Sequence, residues 1–262
     1  MSYLEQICYL NDALLEEMPQ YREQAQQFPQ DAVAQRRLLR SLMNVRPPMP
    51  LSGEYLAAQD ALLSAEREEK GIVSVESLPE TPLRNLYLWQ GDITRLAADA
   101  IVDADNSALL GCFCPCHGCI DNAIHSTAGL QLRDECNRLM HAQGHEEPTG
   151  QAKITSAYNL PCQYVLHTVG PIVQGQLTEK HRAELQSCYR SCLESAAAKG
   201  LKSVAFCCIS TGEFHFPNRE AAQIAVATVK EFLSRNGSGM KVIFNVFKEL
   251  DYQIYHELLY TN

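Results

Sequence analysis

Beyond Leu83 the sequence alternates between short apolar runs and stretches of helical periodicity, and this alternation constrains the fold more than any other feature. Leu86-Tyr87-Leu88-Trp89, Ala100-Ile101-Val102, Lys153-Ile154-Thr155, Tyr164-Val165-Leu166, Ser203-Val204-Ala205-Phe206-Cys207-Cys208-Ile209 and Lys241-Val242-Ile243-Phe244 read as strands. Helical patterns near 121–141, 179–199 and 218–235 separate several of them. Short apolar strands alternating with helices need cover on both faces, so the expected class is α/β with a largely parallel sheet.

The chain before about residue 80 has a different period. Ser2-x-x-Glu5 forms a capping-box pattern ahead of Ile7, Leu14 and Leu15. Asp31 can cap a second helix carrying Val33, Leu38, Leu39, Leu42 and Met43. Arg46-Pro47-Pro48-Met49-Pro50 cannot be helical throughout and reads as a connector. Ser52 can cap a third helix that stops near Gly71. The expected organisation is a helical extension over 1–80, packed as a cap with no chemistry of its own, on an α/β domain over 81–262.

Composition narrows the function. A formal charge of −9 argues against a nucleic-acid binder, which needs a basic footprint. Anionic small molecules remain open, because backbone N–H groups bind phosphate without Lys or Arg. No run of about 18 apolar residues suggests a membrane span. The Met1-Ser2-Tyr3-Leu4-Glu5 start lacks signal-peptide features. Eleven cysteines, many inside apolar runs, fit a reduced protein better than a disulfide framework. The expected location is cytoplasmic.

Four loops that follow strands carry chemistry. Gln90-Gly91-Asp92-Ile93-Thr94 offers a carboxylate that can accept from an exocyclic amine, or a turn with a helix cap. Asp103-Ala104-Asp105-Asn106-Ser107 ends a strand, and Asn106 offers a donor and an acceptor to a sugar hydroxyl. Ile209-Ser210-Thr211-Gly212-Glu213-Phe214 is small enough for consecutive N–H groups to approach a diphosphate. There Glu213 is expected to point away from the ligand, and Phe214 to stack on a sugar or close the core. The remaining loop packs four cysteines and a histidine between Cys112 and Cys119, a density that suits zinc. A turn at Pro115 would bring Cys112 towards His117 and Cys119, leaving a fourth position open. A closed site using Cys114 or Cys116, or ordinary buried thiols, are the alternatives.

Taken in order, these segments resemble the macrodomain signature. Gln90-Gly91-Asp92-Ile93-Thr94, Asp99-Ala100-Ile101-Val102, Asn106-Ser107, Asp121-Asn122-Ala123-Ile124-His125 with Ala128-Gly129, Gly150-Gln151-Ala152-Lys153-Ile154-Thr155, His167-Thr168-Val169-Gly170-Pro171 and Ile209-Ser210-Thr211-Gly212 carry the likeness over about 83 to 250. Where macrodomains usually have a glycine-rich loop, this chain has Gly111-Cys112-Phe113…Pro115…His117…Cys119. That replacement is similar to zinc-containing macrodomains of bacteria and fungi, which also carry a helical N-terminal extension. The resemblance implies a three-layer α/β/α domain with a mixed, largely parallel sheet.

It also implies an ADP-ribose pocket. Asp92 would bind the adenine amino group with Ile93 beside it. Ser210, Thr211, Gly212, Glu213 and Phe214 would hold the diphosphate, and Asn106 the distal ribose. Cys112, His117 and Cys119 would hold Zn2+ beside that ribose, and Asp121 corresponds to an acidic residue proposed to activate water, unless it only caps a helix. The implied activity is zinc-dependent removal of mono-ADP-ribose from a modified protein. A lipoyl-carrier protein is the implied substrate and a sirtuin-like transferase the implied counterpart. A non-catalytic ADP-ribose reader and an O-acetyl-ADP-ribose deacetylase are the rivals. Two departures stand out: Asp103-Ala104-Asp105-Asn106 replaces the family's usual Asn-Ala-Ala-Asn, and Cys114 and Cys116 are additional to the expected pattern. His125 and His167, inside apolar elements, are expected to be structural.

Overall fold

The computed structural model describes residues 2–236 and 239–260; Met1 and residues 261–262, at the ends of the two expected units, lie outside them. Four helices come first: α1 (Tyr3–Glu17), α2 (Arg22–Ala25), α3 (Ala32–Val45) and α4 (Gly53–Lys70). Their starts follow the local chemistry. Ser2 and Glu5 form the reciprocal capping box, Asp31 accepts from the Ala34 N–H at 2.9 Å, and Ser52 accepts from the Tyr55 N–H at 3.1 Å. The helices bury Ile7, Leu10, Leu14, Leu38, Leu39, Leu42, Leu62 and Leu63 in a core of their own. Leu130, contributed from beyond the sheet's first strands, joins that core and marks the seam.

The rest comprises β1 (Val73–Ser74), β2 (Leu86–Gln90), β3 (Leu96–Ala97), β4 (Ala100–Asp105), α5 (Ile120–Ala128), α6 (Leu130–Gln143), β5 (Ala152–Ser156), β6 (Tyr164–Val169), α7 (Glu179–Ala198), β7 (Ser203–Phe206), α8 (Asn218–Asn236), β8 (Lys241–Val246) and α9 (Glu249–Tyr260). Six strands form one sheet in the order β2-β8-β7-β4-β6-β5, parallel except for β5 against β6. The helices pack in two groups, α5 with α6 and α7 with α8 and α9, which completes the three layers. β4 lies between β7 and β6, so its Ala100, Ile101 and Val102 are fully buried. This is the expected α/β/α architecture with a mixed, largely parallel sheet and N-terminal helices.

Local differences from the sequence reading have physical causes. The helix expected near 121–141 is two helices, because Gly129 adopts φ +99° and turns the chain between them. The apolar run to Ile209 leaves the sheet after Phe206, and the turn that follows launches the 210–214 loop. The two-residue strands β1 and β3 pair with each other but are too short to leave a periodic signal. Through β1 and the buried Val75, the chain before residue 80 already joins the main core. Among the described residues no helix is long and apolar enough to cross a membrane.

Candidate active site

The loops singled out in the sequence follow β2, β4 and β7, at the carboxyl ends of parallel strands, where α/β sheets place their ligand clefts. Asp92 caps a short helical turn, with Oδ1 accepting from the Thr94 N–H at 3.0 Å and the Thr94 hydroxyl at 2.7 Å. Its Oδ2 lies 3.9 Å from Lys70 Nζ, and the residue lines a cleft with Arg36, Arg40, Arg67 and Arg95. The cap on Oδ1 therefore coexists with an Oδ2 that faces Lys70 across the cleft. Ile93 is 1% exposed and packs in the main core, so its side chain does not line a cleft.

In the 210–214 loop, the Thr211 N–H turns back to the Cys208 carbonyl, while the Phe216 N–H donates to Ser210 O. Among the described residues, the N–H groups of Gly212, Glu213 and Phe214 have no internal acceptor, the condition for an anion cradle. Phe214 is half-buried, with its carbonyl accepting from the Val173 N–H at 2.9 Å. Glu213 does not simply turn away: its Oε1 reaches to 3.7 Å from His117 Nε2, so this loop and the cysteine loop face each other.

The cysteine loop sorts its own thiols. Donor atoms of Cys112, His117 and Cys119 all lie within 4.8 Å of one another, with Cys112 Sγ 3.6 Å from His117 Nδ1. Cys114 is exposed, and Cys116 turns towards α3, with Sγ 3.3 Å from Ser41 Oγ. The three converging groups are two soft thiols and an imidazole, a donor set that fits zinc. His117 presents Nδ1 inward and leaves Nε2 to Glu213, as metal-ligating histidines commonly do. Cys119, rather than Asp121, is the N-cap of α5, accepting from the Asn122 N–H at 3.4 Å. Burial, with Asp121 and Cys112 nearby, pushes the Cys119 thiol up to about 12.

Freed from capping, Asp121 sits in the first turn of α5, 5% exposed. Its Oδ2 is 3.5 Å from Asn106 Nδ2, and its Oδ1 is 3.5 Å from His125 Nε2. Burial first, then the charges of Asp105 and Asp103, raise its carboxyl well above the usual carboxylate range. Asn106 is held by its own turn, Oδ1 accepting from the Ala108 N–H at 3.0 Å and Nδ2 donating to Gly111 O at 3.3 Å. Asn106 and Asp121 thus form a small polar pair beside the three metal-type donors.

The sequence reading missed what the helical extension does. Arg40 donates to Asn122 Oδ1 at 2.7 Å and to His117 O at 3.2 Å. Asn44, 1% exposed, accepts from the Cys116 N–H at 2.9 Å and donates to Ser126 Oγ at 3.0 Å. Arg133 of α6 donates to Leu110, Met43, Asn44 and Arg46 carbonyls, tying α3 to the start of the loop. The signal was present as Arg36, Arg40 and Asn44, polar residues at four-residue spacing that share one face of α3.

A parallel-rich sheet with unpaired loop N–H groups, a part-buried Asn106–Asp121 contact and a thiol-imidazole loop at its carboxyl edge defines an α/β module with a polar cleft there. Residues 102–225 match the Macro domain family model, and the chain belongs to that family. It is 53% identical over 262 residues to a protein-ADP-ribose hydrolase of Treponema medium, covering 99% of this chain and 100% of that one. It is 49% identical over 221 residues to a protein-ADP-ribose hydrolase of Staphylococcus aureus strain MSSA476, covering 84% and 83% of the two chains. Among solved structures, the Trypanosoma brucei macrodomain in complex with ADP-ribose is similar with a TM-score of 0.65 and 32% identity, over 83% of this chain and 94% of that one.

Proposed function

We propose that this chain removes mono-ADP-ribose from modified proteins and that zinc held by Cys112, His117 and Cys119 takes part. That it is a hydrolase rests on the full-length relationship to a protein-ADP-ribose hydrolase. The observation carrying the finer reading is the convergence of two thiols and an imidazole within 4.8 Å, next to the Asn106–Asp121 pair. When bound, zinc supplies Lewis acidity, polarising a ribose hydroxyl or lowering the pKa of water.

The chain's own residues do the rest. Asp92 Oδ2 accepts from the adenine amino group, and the N–H groups of Gly212, Glu213 and Phe214 hold the diphosphate. Asn106 orients the distal ribose. Water oxygen bonds to the anomeric carbon as the bond to the protein side chain breaks. Asp121, buried beside Asn106, takes the water proton and returns it to the departing side chain. A lipoyl-carrier protein as substrate and a sirtuin-like transferase as counterpart follow from the resemblance, and a reduced cytoplasmic location fits the free thiols.

The test is release of ADP-ribose from a mono-ADP-ribosylated protein, with metal content measured before and after chelation. Release lost with zinc and restored on its return is the expected result. Cys119→Ala should lose turnover while still binding ADP-ribose. Binding without release at full zinc loading would make the chain a reader. Selective cleavage of O-acetyl-ADP-ribose would make it a deacetylase.

A further inference from the structure

Beneath the cysteine loop lies a second set of donors that the proposed reaction does not use. Asp103 and Asp105 are two residues apart on β4, so their side chains project from the same face of the sheet. His167 on β6 is the register partner of Asp103, which puts its ring on that face too. His125 comes down from α5, one turn after Asp121. All four are buried, Asp103 and His167 completely.

The donor atoms of the four residues converge. His167 Nδ1 lies 3.3 Å from Asp105 Oδ2 and 3.8 Å from Asp103 Oδ2. His125 Nε2 lies 3.8 Å from Asp103 Oδ2 and 3.9 Å from Asp105 Oδ2. These are four of the six edges of a tetrahedron, and donor atoms of the four residues all fall within 4.8 Å of one another. An ion equidistant from the corners of such a tetrahedron would sit about 2.0–2.4 Å from each, which reaches the Zn–N and Zn–O range.

The surroundings point to a cation as well. Neither oxygen of Asp103 has a hydrogen-bond donor among the described residues, and neither ring nitrogen of His125 has a hydrogen-bond partner. Buried polar groups without partners are costly. No Lys or Arg forms an ion pair with Asp103 or Asp105 among the described residues. Arg133, the buried cation nearby, is occupied by backbone carbonyls. The far nitrogen of His167 is 2.9 Å from Thr155 Oγ1, the outward hydrogen bond that orients a ligating imidazole. A Cβ on Gly111 would lie 2.8 Å from the His125 ring, so the loop backbone presses that ring in place.

We infer that Asp103, Asp105, His125 and His167 form a second, buried site for a divalent transition-metal ion, separate from the Cys112–His117–Cys119 set. Two carboxylates and two neutral imidazoles balance a 2+ charge and make an N2O2 set of the kind zinc, cobalt, manganese or iron accepts. The two acidic residues are the departures from the family's Asn-Ala-Ala-Asn noted above. The ion is enclosed, so it stabilises the sheet-to-helix junction and exchanges slowly.

The test uses the full chain with both loop thiols removed, Cys112→Ser/Cys119→Ser, expressed with supplementary zinc. Metal is counted by mass spectrometry after exposure to EDTA. One equivalent retained per chain is expected, and none in a folded chain overturns the proposal. Adding Asp103→Asn and Asp105→Asn should abolish the retained equivalent; retention overturns it. Should those variants fail to fold, the loop double variant is unfolded with chelator and refolded with or without Co2+. Expected are ligand-field bands without a thiolate charge-transfer band and a higher melting midpoint. Identical midpoints with and without Co2+ would equally overturn it, leaving a hydrogen-bonded acid–histidine cluster.

Discussion

Gly170→Ala should displace the 210–214 loop, and the structure sets the size of the effect. A Cβ on Gly170 would lie 2.0 Å from Ser210 Oγ, 2.9 Å from Ile209 Cγ2 and 3.3 Å from Ser210 Cβ. Ordinary contact needs about 3.5 Å, so a shift of about 1.5 Å is required. Ser210 cannot give way freely, being 6% exposed and already at φ +65°. Overpacking of this kind costs about 1–3 kcal/mol. In a chain this size that lowers the melting midpoint by about 2–12 °C. The same displacement moves the N–H groups of Gly212 to Phe214, and losing one or two charge-assisted bonds should weaken ADP-ribose about 10–100-fold. Ser210→Gly removes the two Ser210 atoms in the clash, suits the positive φ and eliminates a buried hydroxyl without a partner. The double variant should therefore recover most of the loss, with a coupling of at least about 1 kcal/mol. Thermal melts and titration calorimetry on all four chains measure both quantities. A Gly170→Ala chain that melts and binds like its parent, or a double variant no better than the single one, would refute the reasoning.

Three further outcomes are expected. Asn44→Ala leaves the Cys116 N–H and Ser126 Oγ without their partner, so it should cost about 1–3 kcal/mol and make the 112–119 loop the first site of limited proteolysis. Glu66, bound by Arg36 at 2.6 and 2.8 Å and by the Tyr3 hydroxyl, has its pKa lowered against burial by Arg36. Its contribution is therefore full above its ordinary value of 4.5 and lost as pH falls through the lowered one; Glu66→Gln should cost about 0.5–1.5 kcal/mol at pH 7 and converge with the parent in acid melts. With the Cys119 thiol pushed up to about 12, zinc binding must release its proton, so zinc affinity should rise with pH, and Cys119→Ala should reduce that slope by about one proton. A pH-independent affinity in competition titrations would contradict this.

Much of this protein was readable from local patterns. Ser2, Asp31 and Ser52 announce their helices because capping is a contest within four residues. The strands were visible because central parallel strands are apolar on both faces. Cys112, His117 and Cys119 could be chosen over Cys114 and Cys116 from a turn at Pro115 and the family likeness, and the same three donors converge in space. What spans long sequence distances was not readable. That Asn44 and Arg40 hold a loop more than 70 residues away depends on how α3 docks against α5. That Cys119 takes the cap and releases Asp121 depends on where α5 begins, a matter of one or two residues. The meeting of Asp103, Asp105, His125 and His167 required the β4–β6 register and the seating of α5 together. Periodicity states which face a side chain takes, but only the packing of elements decides what it meets there, because that is set by burial summed over the whole core.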